Sequence, residues 1–242
     1  MIFALSFALA ATVSEIQPDL SDPRVREETQ MHVLGALLDA GMAEQALEMV
    51  SEMRRSGSAS VDLDVAQARA MHQRGLSTDA AAMLLAVVKK HPREAEAWAQ
   101  LGIVHADRGQ LPDAEAALRR AAKLSPDNAD IFNNLGFVQL SARKYEPAIT
   151  SFRAALKLDP ASKRTRNNLG FALVRVERYD EALEAFRAAN NEPDARYNFG
   201  AACEAAGDRA TALTSYQAAV VVQPGHPQAV TALSRLLEEK SP

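Results

Sequence analysis

The sequence predicts an all-α solenoid of about six helix-turn-helix units closed by a C-terminal capping helix. Three observations carry that prediction. Alanine recurs at Ala46, Ala80, Ala114, Ala148, Ala182 and Ala212, at intervals of 34, 34, 34, 34 and 30 residues. Four residues after each stands an apolar or aromatic side chain (Val50, Leu84, Leu118, Phe152, Phe186, Tyr216), and three further on a second small or apolar one, which marks one helix face in every copy. Twelve residues ahead of the last four of these, Leu101-Gly102, Leu135-Gly136, Leu169-Gly170 and Phe199-Gly200 lie inside another pattern of helical period, so each unit holds two helices.

Composition is compatible with such an array and excludes several alternatives. The chain has 242 residues, 48% of them hydrophobic, enough to build a core and too many for a disordered or collagen-like chain. Its single cysteine, Cys203, forms no internal disulfide and supplies no thiolate zinc cluster, so the fold stands without staples. With 27 basic against 31 acidic residues and a net charge of -4, the chain has no overall excess of positive charge with which to hold phosphates, and nucleic acid is not the expected partner.

The N-terminus reads as a separate segment. Residues 2–13 are uncharged and apolar, but a membrane-spanning helix needs about 20 residues. The run ends in Ala8-Leu9-Ala10 and Thr12-Val13-Ser14, the small-residue spacing of a signal-peptidase site, although no Lys or Arg precedes it. Residues 1–14 are therefore read as a signal peptide, which places the protein in the periplasm or otherwise outside the cytoplasm. The alternative is a short helix packed on the first unit of a cytoplasmic protein. Residues 15–26, with Pro18 and Pro23, read as a linker or helix start.

Six units follow, at 27–60, 61–94, 95–128, 129–162, 163–192 and 193–226, and residues 227–242 form a capping helix and tail. Pro92, Pro126, Pro160 and Pro224 end units, because proline removes a donor and clashes with the preceding turn. A mid-helix glycine costs about 1 kcal/mol relative to alanine. Four of them in register therefore imply that a neighbouring helix needs the space. In the first two units Leu34 and Ala68 stand at that position. The fifth unit is four residues short, between Ala189 and Arg196, so its packing on the sixth is expected to differ and the superhelical pitch to change there. In the last helix Leu233, Leu236 and Leu237 are expected on one side, with Glu238, Glu239 and Lys240 solvating the end.

Trp98, Leu101-Gly102, Ala114, Leu118, Ala121 and Pro126 are the fullest copy of the pattern, which resembles the tetratricopeptide repeat (TPR) over about five sixths of the chain. The resemblance implies a right-handed α-solenoid with a concave groove lined by the first helix of each unit, and a non-enzymatic scaffold that binds a peptide segment or partner surface there. The Asn-Asn-Leu-Gly copies at 133–136 and 167–170 also resemble, more weakly, exported TPR proteins of tight-adherence pilus assembly, although those carry an N-terminal cysteine that is missing here.

One position of the first helices carries Gln100, Asn134, Asn168 and Asn198, a row of amides able to donate to and accept from peptide backbone. The resemblance gives these residues a peptide-contact role; the competing reading is that they bridge helices. Phe137 and Phe171 fall on the same face as anchors, with packing on the second helices as the alternative. Arg164 and Arg175, near Lys163, Arg166 and Arg178, favour an acidic ligand unless they merely solvate the face. The family's carboxylate clamp is not reproduced, since Ala99 and Ile103 stand where its lysine and asparagine belong and Asn168 where its arginine does.

No cofactor and no metal are expected. His32, His72, His91, His105 and His226 lack ligand spacing, and the glycines form no phosphate loop. Cys203 takes a core position rather than that of a nucleophile. RNA reading by paired helices, and a regulatory module of an enzyme complex, are the alternative functions.

Overall fold

Small residues on facing helices let two backbones approach, and that rule builds the fold. The computed structural model describes residues 22–238, and every regular element among them is an α-helix, as a helical-repeat solenoid requires. The signal-peptide reading of residues 1–14, the linker reading of 15–21 and the tail beyond 238 lie outside the described residues. The helices form two compact units, divided between Leu76 and Ser77, within the second unit that the sequence delimits.

The first compact unit holds α1 (Pro23–Asp39), α2 (Ala43–Arg55) and α3 (Val61–Gln73). α1 begins at Pro23, ahead of position 27, because Asp22 caps it by accepting the Arg24 N–H at 2.8 Å. Leu34, Leu38, Val50, Met53 and Leu63 share one core. Here the large side chain, Leu34, occupies the position that is glycine in later repeats, and the smaller Val50 stands 16 residues on, so the sizes are exchanged across the same contact.

The second compact unit comprises α4 (Ser77–Lys90), α5 (Ala95–Asp107), α6 (Leu111–Leu124), α7 (Ala129–Ser141), α8 (Tyr145–Leu158), α9 (Lys163–Val174), α10 (Tyr179–Ala189), α11 (Glu192–Ala206), α12 (Arg209–Val222) and α13 (Pro227–Glu238). The pairs α5 with α6, α7 with α8, α9 with α10 and α11 with α12 are helical hairpins, and each packs on the next through its second helix. The glycines make these hairpins close. A Cβ placed at Gly136 would lie 2.7 Å from two ring carbons of Phe152, at Gly170 2.7 Å from Phe186, at Gly200 2.8 Å from Tyr216 and at Gly102 2.6 Å from Leu118. The rings of Phe152, Phe186 and Tyr216 fill the space so left and are fully buried.

Each hairpin turns through one left-handed residue, which lets the next N–H reach back to a carbonyl of the preceding helix. Gly109 and Gly207 serve α5–α6 and α11–α12, but Arg143 and Glu177, both at φ 60°, serve α7–α8 and α9–α10. The Lys144 N–H bonds the Gln139 carbonyl at 2.8 Å beyond Arg143, and the Arg178 N–H bonds that of Leu173 at 3.0 Å beyond Glu177.

α10 has 11 residues where α6, α8 and α12 have 14, so the shortfall read in the fifth unit is a lost last turn. Asn191 then caps α11 directly, accepting the Asp194 N–H at 3.0 Å. With that turn gone, α11 packs on α9 more extensively than α7 packs on either α5 or α9.

α13 buries Ala229, Ala232 and Leu236, a stripe at helical spacing, with Leu233 partly buried beside it. Leu237, expected on the same side, is instead exposed, since one further residue rotates it about 100° off that stripe. His226 holds the helix in place. Its Nδ1 accepts the Ala229 N–H at 3.1 Å and its Nε2 lies 2.9 Å from the Asp194 carboxylate on α11.

Candidate functional site

Within the second compact unit the C-terminal halves of α7, α9 and α11 leave a groove of about 450 Å³. Its surface is apolar where Phe137 and Leu140 of α7, Phe171 of α9 and Ala202 and Ala205 of α11 meet it. Phe137 follows Gly136 by one residue, so it turns away from the hairpin contact that Gly136 makes, and 52% of it is exposed. Phe171 is half-buried and stands edge-on to Phe186, with ring centres 5.4 Å apart at 88°. One aromatic is thus fixed, and its counterpart 34 residues earlier is open to a ligand.

The polar rim comes from Ser141, Arg143 and Tyr145 at the α7–α8 turn and from Asn168 and Arg175 on α9. Arg175 is braced on three sides. Its Nη2 and Nε donate to the Tyr145 hydroxyl oxygen at 2.8 and 3.2 Å, and its Nη1 donates to the Ala205 carbonyl at the end of α11 at 2.9 Å. The guanidinium carbon also lies 5.1 Å from the Tyr145 ring centre. Arg143 is exposed, and no carboxylate lines the groove beside either cation.

The amide row does not act as a uniform ladder. Gln100 is buried, and its amide donates to Glu96 one turn earlier at 2.7 Å. Asn133 bridges repeats, because its Oδ1 accepts the Asn168 amide at 3.1 Å and the Thr165 hydroxyl at 3.2 Å. Asn134 accepts from the Asn133 amide at 3.3 Å, while Asn167 accepts from that of Asn190 at 2.7 Å. Asn198 is half-buried and lies outside the groove lining. Of the four amides the groove therefore holds Asn168. Its Nδ2 is engaged with Asn133, and its Oδ1 makes no hydrogen bond among the described residues.

The basic cluster is likewise divided. Arg164 pairs with Asp130, Arg178 with Glu181 and Glu146, and Arg166 donates to the Ala188 carbonyl at 2.7 Å, which leaves Arg175 as its contribution to the groove. Phe137, Asn168, Phe171 and Arg175 thus come together as the sequence suggests, whereas Gln100, Asn134, Arg164 and Asn198 do not join them.

Two tetratricopeptide-repeat family models match the sequence, over residues 65–129 and 136–238, together more than half of the chain. The chain belongs to the tetratricopeptide-repeat family. Solved TPR structures share the fold. YrrB, described as a TPR protein with an unusual peptide-binding site, is similar at 22% identity over 76% of this chain and 96% of its own, with a TM-score of 0.59. MamA is similar at 21% identity over 66% of this chain and 90% of its own, with a TM-score of 0.57. In the APC/C Cut9–Hcn1 hetero-tetramer the match has a TM-score of 0.65 at 19% identity and covers 86% of this chain, which spans under half (42%) of that one. At these identities the likeness is one of fold. No curated protein matches the sequence.

The TPR turns explain the groove residues that sequence reasoning missed. Gly41, Gly75, Gly109, Arg143, Glu177 and Gly207 recur with the repeat and all have positive φ, so a non-glycine residue in that series was a legible signal that pointed to Arg143. Tyr145 and the α11 alanines carry no comparable signal. Cys203 is fully buried in the TPR core, and burial pushes its thiol up to about 12, which keeps it protonated and unreactive. Among the described residues no three His, Cys, Asp or Glu side chains converge as a metal site, and no helix is long and apolar enough to cross a membrane.

Proposed function

We propose that the chain is a TPR interaction module that captures a peptide segment of a partner protein in the groove between α7, α9 and α11. TPR proteins generally mediate protein–protein interaction, and their fold is typical of non-catalytic scaffolds. The observation that carries this reading to a site is the exposed Phe137 beside the fixed ring of Phe171, over alanines that keep the floor open. An apolar anchor flanked by ordered polar groups is the usual form of a peptide hot spot. The peptide-binding description of YrrB agrees with this class of ligand. A role in assembling a larger complex is the corresponding cellular function.

Partner capture by wild type and variants, compared by mass spectrometry, tests the site. Phe137→Ser removes the anchor from an exposed position, so it should abolish capture while leaving the helical content and melting temperature unchanged. Leu135→Ala, two residues earlier but buried, should instead cost about 2 to 5 kcal/mol of stability. Undiminished capture by Phe137→Ser would remove this groove as the site.

A further inference from the structure

We propose that the groove selects an acidic peptide segment, in which a bulky apolar side chain lies on Phe137 and Phe171 and a neighbouring carboxylate is received by Arg143 and the Tyr145 hydroxyl. This deepens the groove reading and rests on it. Four features of the rim lead to it.

Arg143 has no ion pair or side-chain hydrogen bond among the described residues, yet it lines the groove. It does so from a left-handed turn position that four of the six copies give to glycine. A non-glycine residue there costs about 1 to 2 kcal/mol. Glu177 has the same backbone conformation in the next hairpin but does not line the groove, so the position of the side chain, not the strain, singles out Arg143.

Tyr145 is oriented as a donor. Its oxygen accepts two N–H groups of Arg175, at 2.8 and 3.2 Å, which use the lone pairs and leave the hydroxyl hydrogen to be given to a ligand. Donation from a hydroxyl polarised by a guanidinium suits a negatively charged acceptor.

Asn168 offers the complementary group. With Nδ2 bonded to Asn133, its Oδ1 is left to accept a main-chain N–H, which sets an extended peptide along α9. Finally, the lining contains two arginines and no carboxylate although the whole chain carries a charge of -4, so the positive potential is local to the groove.

The test is selection of a phage-displayed random peptide library on the immobilised full chain, its Arg143→Gln, Tyr145→Phe and Phe137→Ser variants, with circular dichroism confirming that each is folded. Wild type should enrich peptides with Asp or Glu next to Phe, Leu, Ile or Trp. Synthetic peptides of the enriched sequence should bind about tenfold more tightly than their Asn or Gln counterparts, the discrimination expected of one charge-assisted hydrogen bond. Arg143→Gln and Tyr145→Phe should each reduce that ratio towards one while still enriching the apolar residue, and Phe137→Ser, which removes the anchor, should enrich no peptide. Enrichment that depends on Phe137 but shows no acidic preference, or an acidic preference indifferent to both Arg143 and Tyr145, overturns the proposal and leaves the groove reading standing. No enrichment that depends on Phe137 overturns both.

Discussion

At the scale of single residues, the fold rests on pairs that trade volume across a hairpin. Gly136 and Phe152 are one such pair, and its energetics can be predicted because two opposing effects have known sizes. Alanine at position 136 gains about 1 kcal/mol of helix propensity. Its Cβ, however, would lie 2.7 Å from a ring that is fully buried and has nowhere to move. Overpacking of this kind costs about 1 to 3 kcal/mol, so Gly136→Ala should be net destabilising and lower the denaturant midpoint. A raised midpoint would mean that the hairpin has slack at this contact. This level was legible in the sequence, since glycines in register with the repeat at 102, 136, 170 and 200 have no local explanation in a helix. The amides were not legible in the same way. Gln100 folds back on Glu96 and Asn133 reaches across to Asn168, and such choices depend on which rotamer finds a partner, a property that does not repeat with the chain.

At the scale of elements, turn chemistry decides how well a hairpin closes. The left-handed position is glycine at 41, 75, 109 and 207 but Arg143 and Glu177 in the hairpins α7–α8 and α9–α10. An apolar pattern is silent about φ, so the only mark of this strain in the sequence is the break in the glycine series at 143 and 177. Glu177 is exposed and lies outside the groove, so replacing it isolates the backbone effect. Glu177→Gly removes a conformational cost of about 1 to 2 kcal/mol and adds about 0.5 to 1 kcal/mol of unfolded-state entropy, which leaves a small net gain. The variant should raise the thermal midpoint slightly, by a degree or two at this chain length, and leave peptide binding unaltered. A lowered midpoint would show that the Glu177 side chain makes a contribution larger than its strain. The shortened α10 makes a related point: four missing residues predicted a packing change, and the direct seating of α11 on α9 is its physical form.

At the scale of the molecule, stability in a repeat array depends on what ties one hairpin to the next. Between the hairpins α5–α6 and α7–α8 that tie includes a buried charge. Glu115 of α6 is 6% exposed, and its carboxylate receives Lys144 at 2.6 Å and Arg119 at 2.7 Å. Burial alone would raise its pKa, but the hydrogen bonds from Lys144 and Arg119 outweigh that and hold it at about 2 instead of 4.5. A carboxylate whose pKa falls on folding contributes stability that is fully present above the unfolded value and is lost as pH falls from 4.5 towards about 2. The two cations are half exposed and keep much of their hydration, so the loss falls on the buried partner. Glu115→Gln should therefore be less stable than wild type by roughly 1.5 to 3 kcal/mol at pH 7, the range for hydrogen bonds to a charged group. That difference should stay constant down to about the ordinary carboxylate pKa and then narrow steadily in more acid solution. Urea midpoints of the two proteins measured side by side between pH 7 and pH 3 isolate this site, because the protonation of all other carboxylates is common to both. A difference that stays flat across that interval would mean that Glu115 titrates alike in the folded and unfolded chains, and that its ion pairs with Lys144 and Arg119 do not tie the two hairpins.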